Sequence, residues 1–344
     1  MALSTRQTQP RALRLLSLLV VFLLLPSIGQ ADDGVAQVLA LRNQHPFLQV
    51  FGLPLFQGAH LADAGRWDSL YSFDVVNHAD AARIGAETLI LDGESYFLSL
   101  SFRRGINDWL ELGIDIPVVA HSDGAFDNVI EGWHDLFGMS NAQRTGPSNR
   151  LRLIYERDGD LYYNINSGVS GIGDIQLSAA IAIRKASTPG DVSLSLRSSV
   201  KLPTGNADDL LGSGAADFSL GLYANKSYSL FKRRLRLGGF AGLLALGEGD
   251  VLPAWQESVV PVAGIAANWQ WNDRLGFTVQ TQLEGSYFDS ALEILGNNTF
   301  QFSVGADYYV PDKNLLFSVG LVEDLFANTT PDVGLHLSVR LPGR

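Results

Sequence analysis

Six histidines are the first residues to weigh for chemistry, because imidazole activates serine nucleophiles and ligates zinc. His45, His60, His78, His121 and His134 fall in expected loops or strand ends, and His336 lies on the polar side of an alternating stretch. His121-Ser122-Asp123 is contiguous, but an extended chain turns neighbours to opposite faces, so that run does not converge on one point. Neither a Gly-x-Ser-x-Gly elbow nor a His-Glu-x-x-His motif occurs, as a hydrolase elbow or a zinc protease would need. The absence of cysteine excludes thiol nucleophiles, thiolate metal sites and disulfides. Gly168-Val169-Ser170-Gly171-Ile172-Gly173-Asp174 is glycine-rich, yet Ile175, Leu177, Ala179, Ile181 and Ile183 continue it as a strand, whereas a phosphate cradle opens a helix. Asp127, Glu131 and Asp135 share one face of an expected helix and read as a solvated face in preference to a cation site. The sequence therefore predicts no enzyme, no cofactor and no metal. What remains is ionic: Glu111, Asp115, Arg184, Arg197, Lys201, Glu284, Asp307, His336 and Arg340 all fall on the polar parity of alternating stretches.

The elements that position these charges follow from that alternation. Leu110, Leu112, Ile114, Ile116 and Val118 alternate with Glu111, Gly113 and Asp115. The same period recurs over 192–202, 275–284, 300–308 and 333–341. Stretches of about ten residues with one apolar and one small, polar face are the pattern of a transmembrane antiparallel up-and-down β-barrel. A soluble all-β sandwich also alternates, but its strands average nearer five or six residues. About fourteen strands are expected, in a range of twelve to sixteen; the doubtful ones are 47–54, 84–91 and the pair flanking Asp158-Gly159. In such a barrel the nine charged residues face the lumen. They form either a salt-bridge network that fills a narrow interior or a ladder lining a pore.

Connections alternate in length as well. Short ones fall near Asn107-Asp108, 187–190, Asn272-Asp273 and Pro311-Asp312; long ones fall at 121–150, 203–213, 246–255 and 287–296. Basic residues gather near the short turns and acidic ones in the long loops. The overall balance of 25 Lys plus Arg against 36 Asp plus Glu argues against nucleic acid. Phe126, Ile130, Trp133 and Phe137 recur at helical spacing and predict a loop helix near 125–138, at or in the outer mouth.

At the N-terminus, Arg6, Arg11 and Arg14 precede the run Leu15 to Leu25, then Pro26 and the small residues before Ala31. This order is that of a cleaved secretory signal peptide over 1–31, and an eleven-residue apolar core is short against the roughly twenty a membrane helix needs. Residues 32–66 carry Pro46 and Pro54, which a central strand does not tolerate, so this segment is either a plug or a first edge strand. The barrel then occupies 67–344.

Gly171-Ile172-Gly173-Asp174, Lys201-Leu202-Pro203-Thr204-Gly205 and Gly212-Ser213-Gly214 stand at strand ends in that order. They resemble the outer-membrane barrels named for meta-pathway phenol degradation. Asn43-Gln44-His45-Pro46 and the expected loop helix also resemble a related Gram-negative outer-membrane family of unknown function. The resemblance implies an outer-membrane barrel that passes small, partly hydrophobic molecules. The chain departs from such barrels by ending in Val339-Arg340-Leu341-Pro342-Gly343-Arg344, where an aromatic insertion signal is usual.

The expected function is a passive channel or transporter for a small, hydrophobic solute. The alternatives are a sealed barrel with a structural or envelope role and a barrel-embedded lipid-modifying enzyme. The last would show itself by a histidine within hydrogen-bond reach of a serine. The expected partners are outer-membrane lipid, lipopolysaccharide and the barrel-assembly machinery, with a monomer as the working state.

Overall fold

The computed structural model describes residues 38–124, 150–186, 190–323 and 333–342. The expected signal peptide over 1–31 and the expected loop helix near 125–138, with Phe126, Ile130, Trp133 and Phe137, fall outside the described residues. The strands are β1 (Trp67–Ile84), β2 (Glu87–Gly105), β3 (Leu110–Ser122), β4 (Arg152–Arg157), β5 (Asp160–Ile165), β6 (Val169–Ile172), β7 (Gln176–Arg184) and β8 (Val192–Lys201). They continue as β9 (Asp217–Leu230), β10 (Arg233–Ala245), β11 (Val259–Gln270), β12 (Leu275–Glu284), β13 (Thr299–Val310), β14 (Leu315–Glu323) and β15 (Val333–Leu341).

The side-chain pattern is that of a soluble protein turned inside out. Along β12, Phe277 and Val279 are 44% and 48% exposed, while Thr278 between them and Gln280 after them are 1% and 2% exposed. Along β15, Leu335 and Leu337 face out and His336 is buried. A sandwich in water would reverse this assignment; an apolar outer band and a polar interior fit a lipid surround. Trp67, Trp109, Trp271 and Tyr308 lie exposed at the short-turn end, where an aromatic girdle meets the bilayer interface.

The sheet closes on itself. β15 pairs antiparallel with β1 from Ser69↔Leu341 to Asn77↔Val333, and every neighbouring pair around the ring is antiparallel. Of the fifteen strands in the sheet, twelve form the closed wall: β1, β2, β3 and β7–β15. Fourteen is therefore too many, for reasons visible in the doubtful segments. Residues 47–54 are not a strand but a turn inside the barrel. The stretch 84–91 is the tight turn joining β1 to β2 and the start of β2. The pair around Asp158-Gly159 is the hairpin β4–β5, which extends β2 beyond the wall. β6 pairs with the upper end of β3 in line with β7, so the two act as one descending strand interrupted at 173–175.

Turn chemistry fixes the short end. Asn107 Oδ1 accepts hydrogen bonds from the backbone N–H of Trp109 and Leu110, both 2.9 Å. Asn272 Oδ1 does the same for Arg274 and Leu275, both at 2.8 Å. Both are side-chain mimics of a backbone turn. At the other end, β2 changes partner from β3 to β4 at Gly93, whose φ is 140°. A Cβ there would come within 2.9 Å of Ser122 O, so only glycine allows the wall to fork. Above the fork, Leu89, Leu153, Tyr155 and Tyr163 join Phe47, Leu48, Leu252, Tyr287 and Phe288 in one buried cluster. This cluster caps the long-loop end of the lumen.

Candidate functional site

Residues 38–62 lie within the barrel, and 63–66 are exposed at its short-turn end. The segment meets the wall backbone at Gly105, which bridges Ala64, accepts from Gly65 N at 2.7 Å and donates to Arg66 O at 3.1 Å. Leu39, Phe47, Val50, Phe51 and Phe56 are at most 1% exposed. A segment without strand partners must find its hydrogen bonds elsewhere, and the inward polar side chains of the wall supply them. On β12, Gln280 donates to Leu39 O at 2.9 Å and accepts from Leu39 N at 3.0 Å, and Gln282 donates to Leu41 O at 3.3 Å. Asn225 of β9 accepts from Ala59 N. Gln176 of β7 donates to Leu53 O at 3.4 Å.

The strongest attachment is at Lys201 on β8. Its ammonium lies 2.7 Å from Asp174 and 3.1 Å from Asp217, and donates to Val50 O at 2.9 Å and to the Ser213 hydroxyl. Asp217 in turn accepts from Gly52 N at 2.8 Å. A Cβ on Gly52 would stand 2.9 Å from Asp217 Cβ and 3.1 Å from Lys201 Cβ. Asp174 also accepts from Gly205 N at 2.8 Å and Ser213 N at 3.0 Å. The three strand-end motifs at 171–174, 201–205 and 212–214 thus meet in one place and hold the chain at Val50 to Gly52.

The charged residues expected on the lumen face distribute as follows. Glu111 accepts from Arg197 at 2.7 Å and from Ala62 N at 2.6 Å. Arg197 also donates to Gly58 O at 3.2 Å and His60 O at 2.8 Å. Asp115 pairs with Arg42 at 3.0 Å and Arg103 at 3.3 Å. Glu284 accepts from Asn43 at 3.3 Å and Tyr287 at 3.0 Å. With Lys201, these five bind the inner segment or a residue that it carries. Asp307, His336 and Arg340 bind wall to wall: Asp307 accepts from Asn268 and Thr278, both at 2.9 Å, and from Ser318 at 2.7 Å. His336 meets Asp74 at 2.6 Å, and Arg340 grips Asp68 in a bidentate pair of 2.9 and 2.6 Å.

Arg184 is the correction. The ladder slips after Ala182↔Ser195, so that Arg184 pairs with Leu194. A bulge adds one residue and reverses facing beyond it. Arg184 therefore sits at the exposed rim, 4.0 Å from Asp191, and not in the lumen.

Asp174, Asp217, Gly52, Gln280 and Gln282 escaped the sequence reading. The glutamines stood on the correct parity but carry no charge to mark them, and the aspartates lie at strand ends where a turn explains an acid equally well. Histidine does reach serine in two places: His78 Nε2 and His121 Nδ1 both meet Ser95 Oγ, at 2.9 and 2.7 Å, and His336 Nε2 meets Ser338 Oγ at 3.1 Å. Among the described residues no group of three or more acidic or histidine side chains is arranged to hold a metal ion.

The fold that emerges is a closed twelve-strand antiparallel barrel with a polar lumen occupied by its own chain. Residues 12–341 match the family described as protein of unknown function DUF3187, and the chain belongs to it. No curated protein matches. Among solved structures, the barrel is similar to the COG4313 outer membrane channel from Pseudomonas putida F1, with a TM-score of 0.50, 14% identity, 81% of this chain and 95% of that one covered. The Ralstonia pickettii toluene transporter TbuX aligns with a TM-score of 0.38 at 12% identity over 82% of this chain and 90% of that one. The Pseudomonas putida toluene transporter TodX aligns with a TM-score of 0.37 at 10% identity over 89% and 98%.

Proposed function

We propose that this chain is an outer-membrane channel for small, hydrophobic solutes, closed at rest by residues 38–66. The observation that carries this reading is the way the segment is held. Wall side chains bind its backbone atom by atom, at Leu39, Leu41, Val50, Gly52 and Gly58, so a passing solute must displace or skirt it. The solute class follows from the aromatic groups about the segment. Phe56, Phe240 and Tyr223 pack with ring centroids 5.0 Å apart, and Phe51 stacks on Tyr287 at 5.5 Å. Aromatic surfaces favour small apolar molecules. That class agrees with the resemblance to barrels named for phenol degradation.

In this reading a signal peptide exports the chain, the barrel-assembly machinery inserts it, and the short-turn end faces the periplasm. The acidic long loops meet lipopolysaccharide through divalent cations. Because β1 and β15 pair, the twelve-strand wall is closed and offers no open edge to the membrane, and a monomer suffices. The test is uptake of a small apolar aromatic by liposomes holding the folded protein, with Lys201→Met alongside. Uptake that rises in the variant supports the gated channel. Equal, background uptake in both favours a sealed barrel with a structural role.

A further inference from the structure

The lumen holds a serine, a histidine and a carboxylate in catalytic order. Asp74 on β1 faces His336 on β15, its register partner, with 2.6 Å between Oδ1 and Nδ1. On the other side of the same imidazole, Nε2 lies 3.1 Å from Ser338 Oγ. Asp74, His336 and Ser338 are 3%, 0% and 8% exposed. A carboxylate at Nδ1 orients the ring with that nitrogen as its donor. It leaves the Nε2 lone pair to accept the serine proton, which is the arrangement by which a triad activates an alcohol. His78, Ser95 and His121 differ: among the described residues no carboxylate is hydrogen-bonded to either ring, and His121 Nε2 meets Leu210 O at 3.4 Å. They read as a hydrogen-bonded chain.

Space and charge complete the site. Ser338 lines a cavity of about 30 Å³ together with Arg103 and Arg340. Arg103 Nε has no hydrogen-bond partner among the described residues. A buried, unmatched donor is costly, and the two guanidinium groups put positive charge on the cavity wall. The opposite wall of the cavity is the inner segment: Val38, Ala40, Leu55, Phe56 and Gln57. At rest the cavity has room for about one water molecule, so the segment covers the serine and its movement would open the site.

We infer that Ser338, His336 and Asp74 form a serine-hydrolase site in the lumen that cleaves small esters when residues 38–66 shift. Ser338 Oγ attacks the ester carbonyl carbon while its proton passes to His336 Nε2, and the oxyanion forms in the cavity that Arg103 and Arg340 line. The tetrahedral adduct collapses, the C–O bond to the alcohol breaks, and the alcohol leaves with the proton from Nε2. Water then attacks the acyl-serine, giving its proton to Nε2, and the carboxylic acid departs as Ser338 regains its own. Asp74 positions the ring throughout. This inference rests on the movement of residues 38–66 in the channel reading but not on passage of a solute: labelling of Ser338 without uptake would separate the two.

The test uses the full chain folded in detergent, its fold checked by heat-dependent gel mobility. Diisopropyl fluorophosphate is the labelling probe and p-nitrophenyl acetate the substrate. The expected result is an adduct located by mass spectrometry on Ser338, greater in Lys201→Met, absent in Ser338→Ala and retained in Ser318→Ala. Hydrolysis should fall by roughly 10²- to 10⁴-fold in His336→Gln, the usual contribution of a positioned base. Asp74→Asn should shift the pH profile of the residual rate, which a merely structural role would not do. No adduct on Ser338 in either the wild type or Lys201→Met overturns the inference, as does labelling that His336→Gln leaves unchanged.

Discussion

Lys201 is 1% exposed, and it is tolerable there because two carboxylates, a carbonyl and a hydroxyl surround it. Removing one partner of such a group leaves uncompensated buried charge, at about 3–5 kcal/mol. Lys201→Met should therefore loosen the hold on Val50 to Gly52, and hydrogen exchange over 38–66 should rise while the wall strands stay protected. Gly52→Ala acts on the same place by crowding, since its Cβ would meet Asp217 and Lys201; about 1–3 kcal/mol of overpacking is expected, visible as the same exchange signature in weaker form. Two phenols report on the cap at the long-loop end. Burial pushes the Tyr163 hydroxyl up, with Asp208 and Asp250 adding to it, and burial beside Glu284 pushes Tyr287 up. A group whose folded value is raised stabilises fully below its unfolded value, about 10, and loses that contribution as pH climbs through the folded value. The phenolate absorbance of these tyrosines should lag behind that of the heat-unfolded chain above about pH 10. The cap should loosen in the same range.

Among the elements, β12 was legible residue by residue. Its inward Gly276, Thr278, Gln280, Gln282 and Glu284 and outward Phe277 and Val279 fall where strict alternation puts them. Alternation reads facing, but it does not read partners. It could not tell that β4 and β5 lie outside the wall, because a hairpin that extends β2 alternates like one that closes a ring. Nor could it foresee the slip after Ala182 that turns Arg184 away, since an inserted residue leaves no mark on one strand's sequence. The inner segment was legible only as what it is not, through Pro46 and Pro54. Its partners are wall side chains far away in sequence, and no local rule predicts them. A prediction at this scale tests the facing. Val279→Arg on the outer band should cost about 2–4 kcal/mol in a bilayer and lower the yield of folded protein in vesicles. Gln280→Leu should fold as well as the wild type but lose protection at Leu39, whose N–H and carbonyl it pairs.

At the scale of the molecule, two constructions are superposed. The wall is a ring of twelve strands with every edge paired. Its hydrogen bonds do not depend on what fills the lumen. The filling is a chain of side-chain contacts centred on Lys201, with an apolar cap above it at the long-loop end. In the gated-channel proposal, this separation is what lets the interior rearrange while the barrel stands. The measurement that tests it most directly is single-channel recording in a planar bilayer, wild type beside Lys201→Met, both with their folding verified. The account predicts a wild type that is closed for most of the record and a variant with frequent discrete openings. Steady openings of equal size and duration in both would contradict it, because residues 38–66 would then not be what closes the lumen.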